Sequence, residues 1–150
     1  MITLKKIDRD NYRECTNLSV AEEQSRFVAP NAKSLSKAYA FYESAHPFAV
    51  YADNVMVGFI LYRDVAESGN YVIDQVMIDK RYQRMGYGRE VMRETLKLLR
   101  KAGRFDRACV CCCLNNEIAL KFFRSFGFDK VEGEEAGEIV LCADLTPSGL

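Results

Sequence analysis

The chemistry in this sequence concentrates in one hexapeptide, Gln83-Arg84-Met85-Gly86-Tyr87-Gly88. It falls between a strand-like run ending at Ile78 and a helix-like stretch from about Arg89. Glycines at the mouth of a helix let the backbone approach a ligand closely, and the N–H groups of the first helical turn, together with the helix dipole, favour an anion. Lys80, Arg81, Arg84 and Arg89 add positive charge on either side, so a diphosphate fits there. No Gly-Lys-Ser/Thr follows, which excludes a Walker loop. Position 91 is valine, and the preceding strand is not the first of a βαβ unit, which together exclude the dinucleotide fingerprint. A G-x-G turn also serves as a plain strand-to-helix connection, and its spacing alone does not choose between the two.

Charge is distributed unevenly around this turn. Twenty-one basic and twenty-one acidic residues cancel over the chain. From Lys80 to Arg107, however, ten cationic side chains face three acidic ones, and from Asp129 to Asp144 six acids face Lys130 alone. A ligand with an anionic end and a cationic reaction partner would suit such a surface. Solvated helix faces and loops are the plainer reading of the same charges. The overall balance, and the lack of an aromatic-rich basic face, argue against nucleic-acid binding by the run Lys97 to Arg107.

The cysteines are Cys15, Cys109, Cys111, Cys112, Cys113 and Cys142, and four of them crowd one short segment. They form no disulfide framework by spacing. A zinc site would need separated C-x2-C pairs and further ligands, and His46 is the one histidine. No metal is expected; buried strand thiols in a reducing compartment explain the cluster.

The elements that must hold the turn follow from pattern. A chain of 150 residues, 49% hydrophobic and 28% charged, is expected to form one domain, 1–150. Apolar stretches such as Val55 to Tyr62 fall short of the ~20 residues of a membrane-spanning helix. Lys5, Lys6 and Asp8 interrupt any signal-like start, so no membrane is expected as a partner and the cytoplasm is the expected location. Ile2 to Ile7 suggests a strand, and Asn11-x-x-Glu14 a capping box opening a short helix. Ser34 is expected to cap a second helix, in which Leu35, Ala38, Tyr39, Tyr42 and Ala45 recur at helical spacing and His46-Pro47 is the stop. Pro47 to Ala52, Met56 to Tyr62 and Tyr71 to Ile78 read as a strand meander. Arg89 to Lys101 places Val91, Met92, Thr95, Leu96, Leu98 and Leu99 on one stripe. A strand at Ala108 to Leu114 follows, then a helix capped by Asn115 or Asn116 with Ile118, Ala119, Phe122 and Phe123 inward. Ile139 to Leu145 closes the order βααβββαβαβ, with room for a further short strand near Phe128. This is an α/β (α+β) pattern with a mixed sheet.

Gln83-x-x-Gly86-x-Gly88 after a fourth strand, then a long helix, a strand, Asn116-x-x-Ala119 and Gly127-Phe128, resembles the GNAT superfamily of acetyltransferases. Gln24, Phe27 to Asn31, Ser34-Leu35, Ala38-Tyr39, Met56 to Phe59, Met77 to Asp79 and Gly137-Glu138 are similar to the pattern of bacterial diamine and spermine/spermidine N-acetyltransferases, over nearly the whole chain. The fold implied is a mostly antiparallel sheet of six to seven strands with about four helices. The activity implied is transfer of acetyl from acetyl-coenzyme A, as cosubstrate, to a primary amine. A polyamine such as spermidine or spermine is the first acceptor; another small amine or a protein amino group stays open. So does a coenzyme-binding sensor without catalysis. A homodimer is what analogy with relatives implies.

On that resemblance, Val76, Met77 and Ile78 offer backbone groups to the pantetheine arm. Gln83, Arg84, Met85, Gly86, Tyr87, Gly88 and Arg89 form the pyrophosphate turn, and Asn116, also readable as a helix cap, contacts the coenzyme near its thiol. Where the family pattern N-x-x-A-x-x-x-Y has its tyrosine, the acid for the departing thiolate, this chain has Phe123. Glu22 and Glu23 are the candidates for attracting the cationic amine and accepting its proton, with Glu135 and Glu138 as second candidates. A covalent acetyl-cysteine on Cys111, Cys112 or Cys113 lacks a histidine to activate it.

Overall fold

The computed structural model describes residues 1–146. Its strands are β1 (Ile2–Lys6), β2 (Ala45–Ala52), β3 (Val55–Val65), β4 (Asn70–Ile78), β5 (Arg107–Cys113), β6 (Lys130–Glu135) and β7 (Glu138–Asp144). The helices are α1 (Tyr12–Asn17), α2 (Asn31–Ala40), α3 (Tyr87–Ala102) and α4 (Glu117–Arg124), with one-turn 3-10 helices at Glu22–Gln24 and Lys80–Tyr82. The sheet has the order β1-β2-β3-β4-β5-β7-β6. It is mostly antiparallel, with β4 and β5 parallel. The expected mixed sheet and helix count are present, and the extra strand near Phe128 is β6. Among the described residues no helix is long and apolar enough to cross a membrane.

Two compact units divide the chain. The first comprises residues 1–63 and 74–94. Its β2–β3 hairpin turns at Asp53-Asn54, where Asp53 takes φ 56° and Ala52 pairs with Val55. Beneath the strands lie Cys15, Leu18, Ala38, Ala49, Met56, Phe59, Leu61 and Met77. Gly58 of β3 faces β4 so closely that a Cβ would strike the Met77 carbonyl and come within 2.9 Å of Ile78 Cδ1. A glycine inside a strand marks such a backbone approach.

The second unit comprises, among the described residues, 64–73 and 95–146. There the parallel ladder sets Tyr71–Ile73 against Ala108–Val110, and β5 pairs antiparallel with β7. Tyr71 is buried with its hydroxyl 3.3 Å from the Leu99 carbonyl and its ring edge-on to Phe105. The β6–β7 hairpin turns through Ala136 and Gly137, both at positive φ.

Several local expectations are corrected. Helix α2 begins at Asn31, not Ser34. Pro30, at φ −57°, is its cap residue, and Ser34 is buried inside the helix. It ends at Ala40, because His46 and Pro47 already belong to β2, paired with Tyr62 and Leu61. Tyr39, on the outer face of the helix, and Tyr42, past its end, are both exposed. Ile118, in the first turn of α4, is 82% exposed, while Leu120 and Phe123 are buried. The capping box at Asn11 does not form. Its carboxamide accepts from Asp8 N–H (2.9 Å) and donates to the Lys6 carbonyl (3.0 Å), bracing the turn before α1. Cys109 and Cys142 are joined in a disulfide, because the β5–β7 register sets them directly opposite, Cα atoms 4.1 Å apart. A separation of 33 residues hides that pairing from spacing arguments. Cys15, Cys111, Cys112 and Cys113 are free thiols.

Candidate functional site

Strand β4 ends at Ile78, and the chain then makes a single 3-10 turn with Asp79 as its cap, the carboxylate accepting from Arg81 N–H at 3.0 Å. After Gln83 the backbone enters the left-handed region at Arg84 (φ 64°), and again at Gly86 (φ 83°), before α3 begins at Tyr87. A non-glycine residue at positive φ costs roughly 1–2 kcal/mol, and such strain gathers where a backbone must aim its N–H groups. The first helical bond of α3 runs from Glu90 N–H to the Gly86 carbonyl at 3.3 Å. The N–H groups of Tyr87 and Gly88 thus precede the ladder and have no acceptor within the helix. Beyond its chain neighbours, no protein atom lies within 4 Å of a Cβ built on Gly86. Arg84, Met85 and Gly86 are exposed, and Tyr87 and Gly88 are half-buried. The turn is an open cradle of donors at a helix mouth, which fits a pyrophosphate.

The cations around it are not equivalent. Arg81 donates through Nε to Asp79 Oδ1 at 2.8 Å, and that bond, with the Asp79 charge, raises its pKa further. Its Nε is engaged with Asp79, while the side chain is 62% exposed. Asp79 is 2% exposed. Burial pushes its carboxyl up, but hydrogen bonds from the Arg81 side chain, Ser19 N–H and Arg81 N–H, with the Arg81 charge, hold it below the usual Asp range.

Val76, Met77 and Ile78 close β4 in the same unit as the turn. The Ile78 carbonyl already accepts from Gln83 Nε2 at 2.9 Å. Gln83 is thereby a strut between strand end and turn, and its side chain is turned inward. Glu22 and Glu23 stand exposed on the 3-10 turn Glu22–Gln24, also in this unit. That turn is fastened to the glycine turn, since Gln83 Nε2 donates to Gln24 Oε1 at 2.8 Å. At its start, Ser19 N–H donates to Asp79 Oδ2 (3.0 Å), and Lys80 N–H to the Ser19 carbonyl (2.8 Å). Asp79 and Ser19 escaped the sequence reading, in which Asp79 was only part of a pattern. An acid set directly before Lys80 and Arg81 was the available signal.

The remaining candidates lie in the second unit. Asn116 caps α4, its Oδ1 accepting from Ala119 N–H at 3.2 Å. Phe123 is buried, its ring edge-on to Phe122 (5.5 Å) and Phe128 (6.0 Å). Glu135 and Glu138 face each other across the β6–β7 turn, both exposed. Glu138 Oε2 accepts from Cys111 Sγ at 3.3 Å. Burial, then the hydrogen bond and charge of Glu138, push the Cys111 thiol up to about 11, and burial raises Cys112 as well. Both stay protonated near neutral pH, which disfavours an acetyl-cysteine at either.

The family model described as "Acetyltransferase (GNAT) family" matches residues 4–128. The chain is 26% identical over 153 aligned positions to the spermine/spermidine N(1)-acetyltransferase of Bacillus subtilis (strain 168), covering 96% of this chain and 99% of that protein. Among solved structures it resembles the PaiA N-acetyltransferase of Thermoplasma acidophilum in complex with coenzyme A, with TM-score 0.72, 16% identity and coverage of 96% and 99%. It also resembles the spermidine N-acetyltransferase of Vibrio cholerae in complex with CoA and spermine, with TM-score 0.71, 16% identity and coverage of 94% and 92%.

Proposed function

Because the chain belongs to the acetyltransferase (GNAT) family, and so transfers acetyl from acetyl-coenzyme A to an amine, we propose that its acceptor is a polyamine of the spermidine type. The observation that carries this reading is the acidic 3-10 turn of Glu22 and Glu23, fastened through Gln24 to Gln83 of the coenzyme turn. An acidic segment held beside the cosubstrate site suits a cationic acceptor. The similarity to a spermine/spermidine acetyltransferase supports the same class.

Acetyl-coenzyme A supplies an acyl carbon activated as a thioester, with a thiol as leaving group. The N–H groups of the α3 first turn and the Arg84 guanidinium hold the pyrophosphate. Backbone groups of Val76 and Met77 align the arm. A primary amine with a pKa near ~10.4 arrives protonated, so Glu22 and Glu23 draw in the cation and pass one proton to water. The free amine nitrogen then forms the C–N bond as the C–S bond breaks; its second proton passes to water, and the coenzyme leaves as thiolate. Phe123 donates no proton. A thiol with pKa about 8.5 departs tolerably as the thiolate.

Replacing Glu22 and Glu23 by lysine tests the acceptor. The double variant is expected to raise the spermidine KM roughly tenfold, the effect of about 1.4 kcal/mol, with coenzyme affinity unchanged by calorimetry. An unchanged KM would remove these carboxylates from amine binding.

A further inference from the structure

We propose that Gln24 is a positioning residue, a latch through which an occupied coenzyme turn holds the acidic segment in place for the amine. The proposal rests on the assignment of the Gln83 to Gly88 turn to the coenzyme. Val20 packs the start of this segment against the core, and hydrogen bonds attach the segment from Ser19 to Gln24 to the end of β4 at two points of different strength. At Ser19 the attachment is double and rigid: its N–H reaches the buried Asp79 carboxylate, and its carbonyl accepts from Lys80 N–H. At the other end it is a single amide–amide bond, Gln83 Nε2 to Gln24 Oε1. Between these points the bonds are internal to the segment, from Gln24 N–H to Ala21 O and from Ser25 N–H and Oγ to Glu22 O. The orientation of Glu22 and Glu23 therefore depends on Gln24.

Gln83 can transmit the state of the turn because both hydrogens of its amide are used, one on the Ile78 carbonyl and one on Gln24. An amide with both donors engaged has one orientation. Its neighbour Arg84 is the left-handed residue that opens the anion cradle. A phosphate that fixes Arg84 and the helix mouth fixes the Gln83 backbone, and with it the amide that holds Gln24. Coenzyme and amine would then bind with positive coupling, and that coupling is reciprocal.

Hydrogen–deuterium exchange of residues 19–27, with and without saturating coenzyme A, tests the latch in wild type, Gln24→Met and Gln24→Glu. Methionine keeps the length and loses the acceptor, whereas glutamate keeps the acceptor. Wild type is expected to show exchange slowed about fivefold or more by coenzyme A, the lower range of site-to-site coupling. Gln24→Met should lose this slowing and Gln24→Glu keep it. All three proteins should share one Tm; as reciprocity requires, Gln24→Met should bind coenzyme A about fivefold more weakly than wild type by calorimetry while Gln24→Glu keeps the wild-type affinity, and only Gln24→Met should raise the spermidine KM at constant kcat. No slowing in wild type, slowing that survives in Gln24→Met, or its loss in Gln24→Glu would overturn the latch alone. Absence of coenzyme A binding to wild type would overturn the assignment of the turn, and the latch with it.

Discussion

At Gly86 the backbone sits at φ 83° with no protein atom where a side chain would project. An aspartate there would sit in a strained L-residue conformation, and its carboxylate would compete with the pyrophosphate for the N–H donors and repel it. Gly86→Asp is expected to weaken coenzyme A binding by about 100-fold or more, the effect of roughly 2.7 kcal/mol. Titration calorimetry reads it, and wild-type affinity would show that the turn does not hold the pyrophosphate. Asp79 gives a second test, in pH. Its folded pKa lies below the unfolded value of about 3.9. The stabilisation is then complete above the unfolded pKa and is lost as pH falls through the folded one. Asp79→Asn should be less stable than wild type near neutrality, and the gap should close below about pH 4. Urea midpoints across that range measure it; a gap independent of pH would mean the charge is immaterial.

Where β3 meets β4, a glycine decides how near two strand backbones come. A methyl group at Gly58 would strike the Met77 carbonyl and crowd the Ile78 side chain. Gly58→Ala is therefore expected to cost about 2–3 kcal/mol, as overpacking does, and to lower Tm by roughly 5–10 °C in a chain of this size. An unchanged melting curve would show that β3 and β4 part without cost. Elements of this kind were legible in the sequence where one local signal governed them. The stripe of Val91, Met92, Thr95, Leu96 and Leu99 is buried in α3 as its period required, with Leu98 half-buried at its margin. Asn116 caps α4 as the residue type allowed. Elements set by distant partners were not legible. Helix α2 lost its expected last turns because His46 and Pro47 pair with β3, a long-range choice that overrides helical spacing. The Cys109–Cys142 bond and the Asp79–Ser19 tie depend on register and on a 60-residue separation, respectively. In the site, the glycine turn was readable because its chemistry is in the backbone. The fastening of Glu22 and Glu23 to it was not, since a Gln–Gln bond leaves no sequence spacing to read.

Over the whole molecule, formal charge sums to zero while the segment around the Gly86–Gly88 turn is basic. Such separation lets one protein take an anionic cosubstrate and a cationic acceptor without general affinity for polyanions. Acetyl transfer from acetyl-coenzyme A to an amine is the family's activity; that the amine is a polyamine is our proposal, drawn from this charge layout and the Glu22–Glu23 segment. Thiol release from acetyl-coenzyme A, followed against spermidine, spermine, diamines, aminoglycosides, neutral aromatic amines and peptides, measures it directly. Expected is turnover with the highest kcat/KM for spermidine or spermine and little for neutral amines. Equal turnover of neutral aromatic amines, or none with any polyamine while coenzyme A still binds, would contradict it.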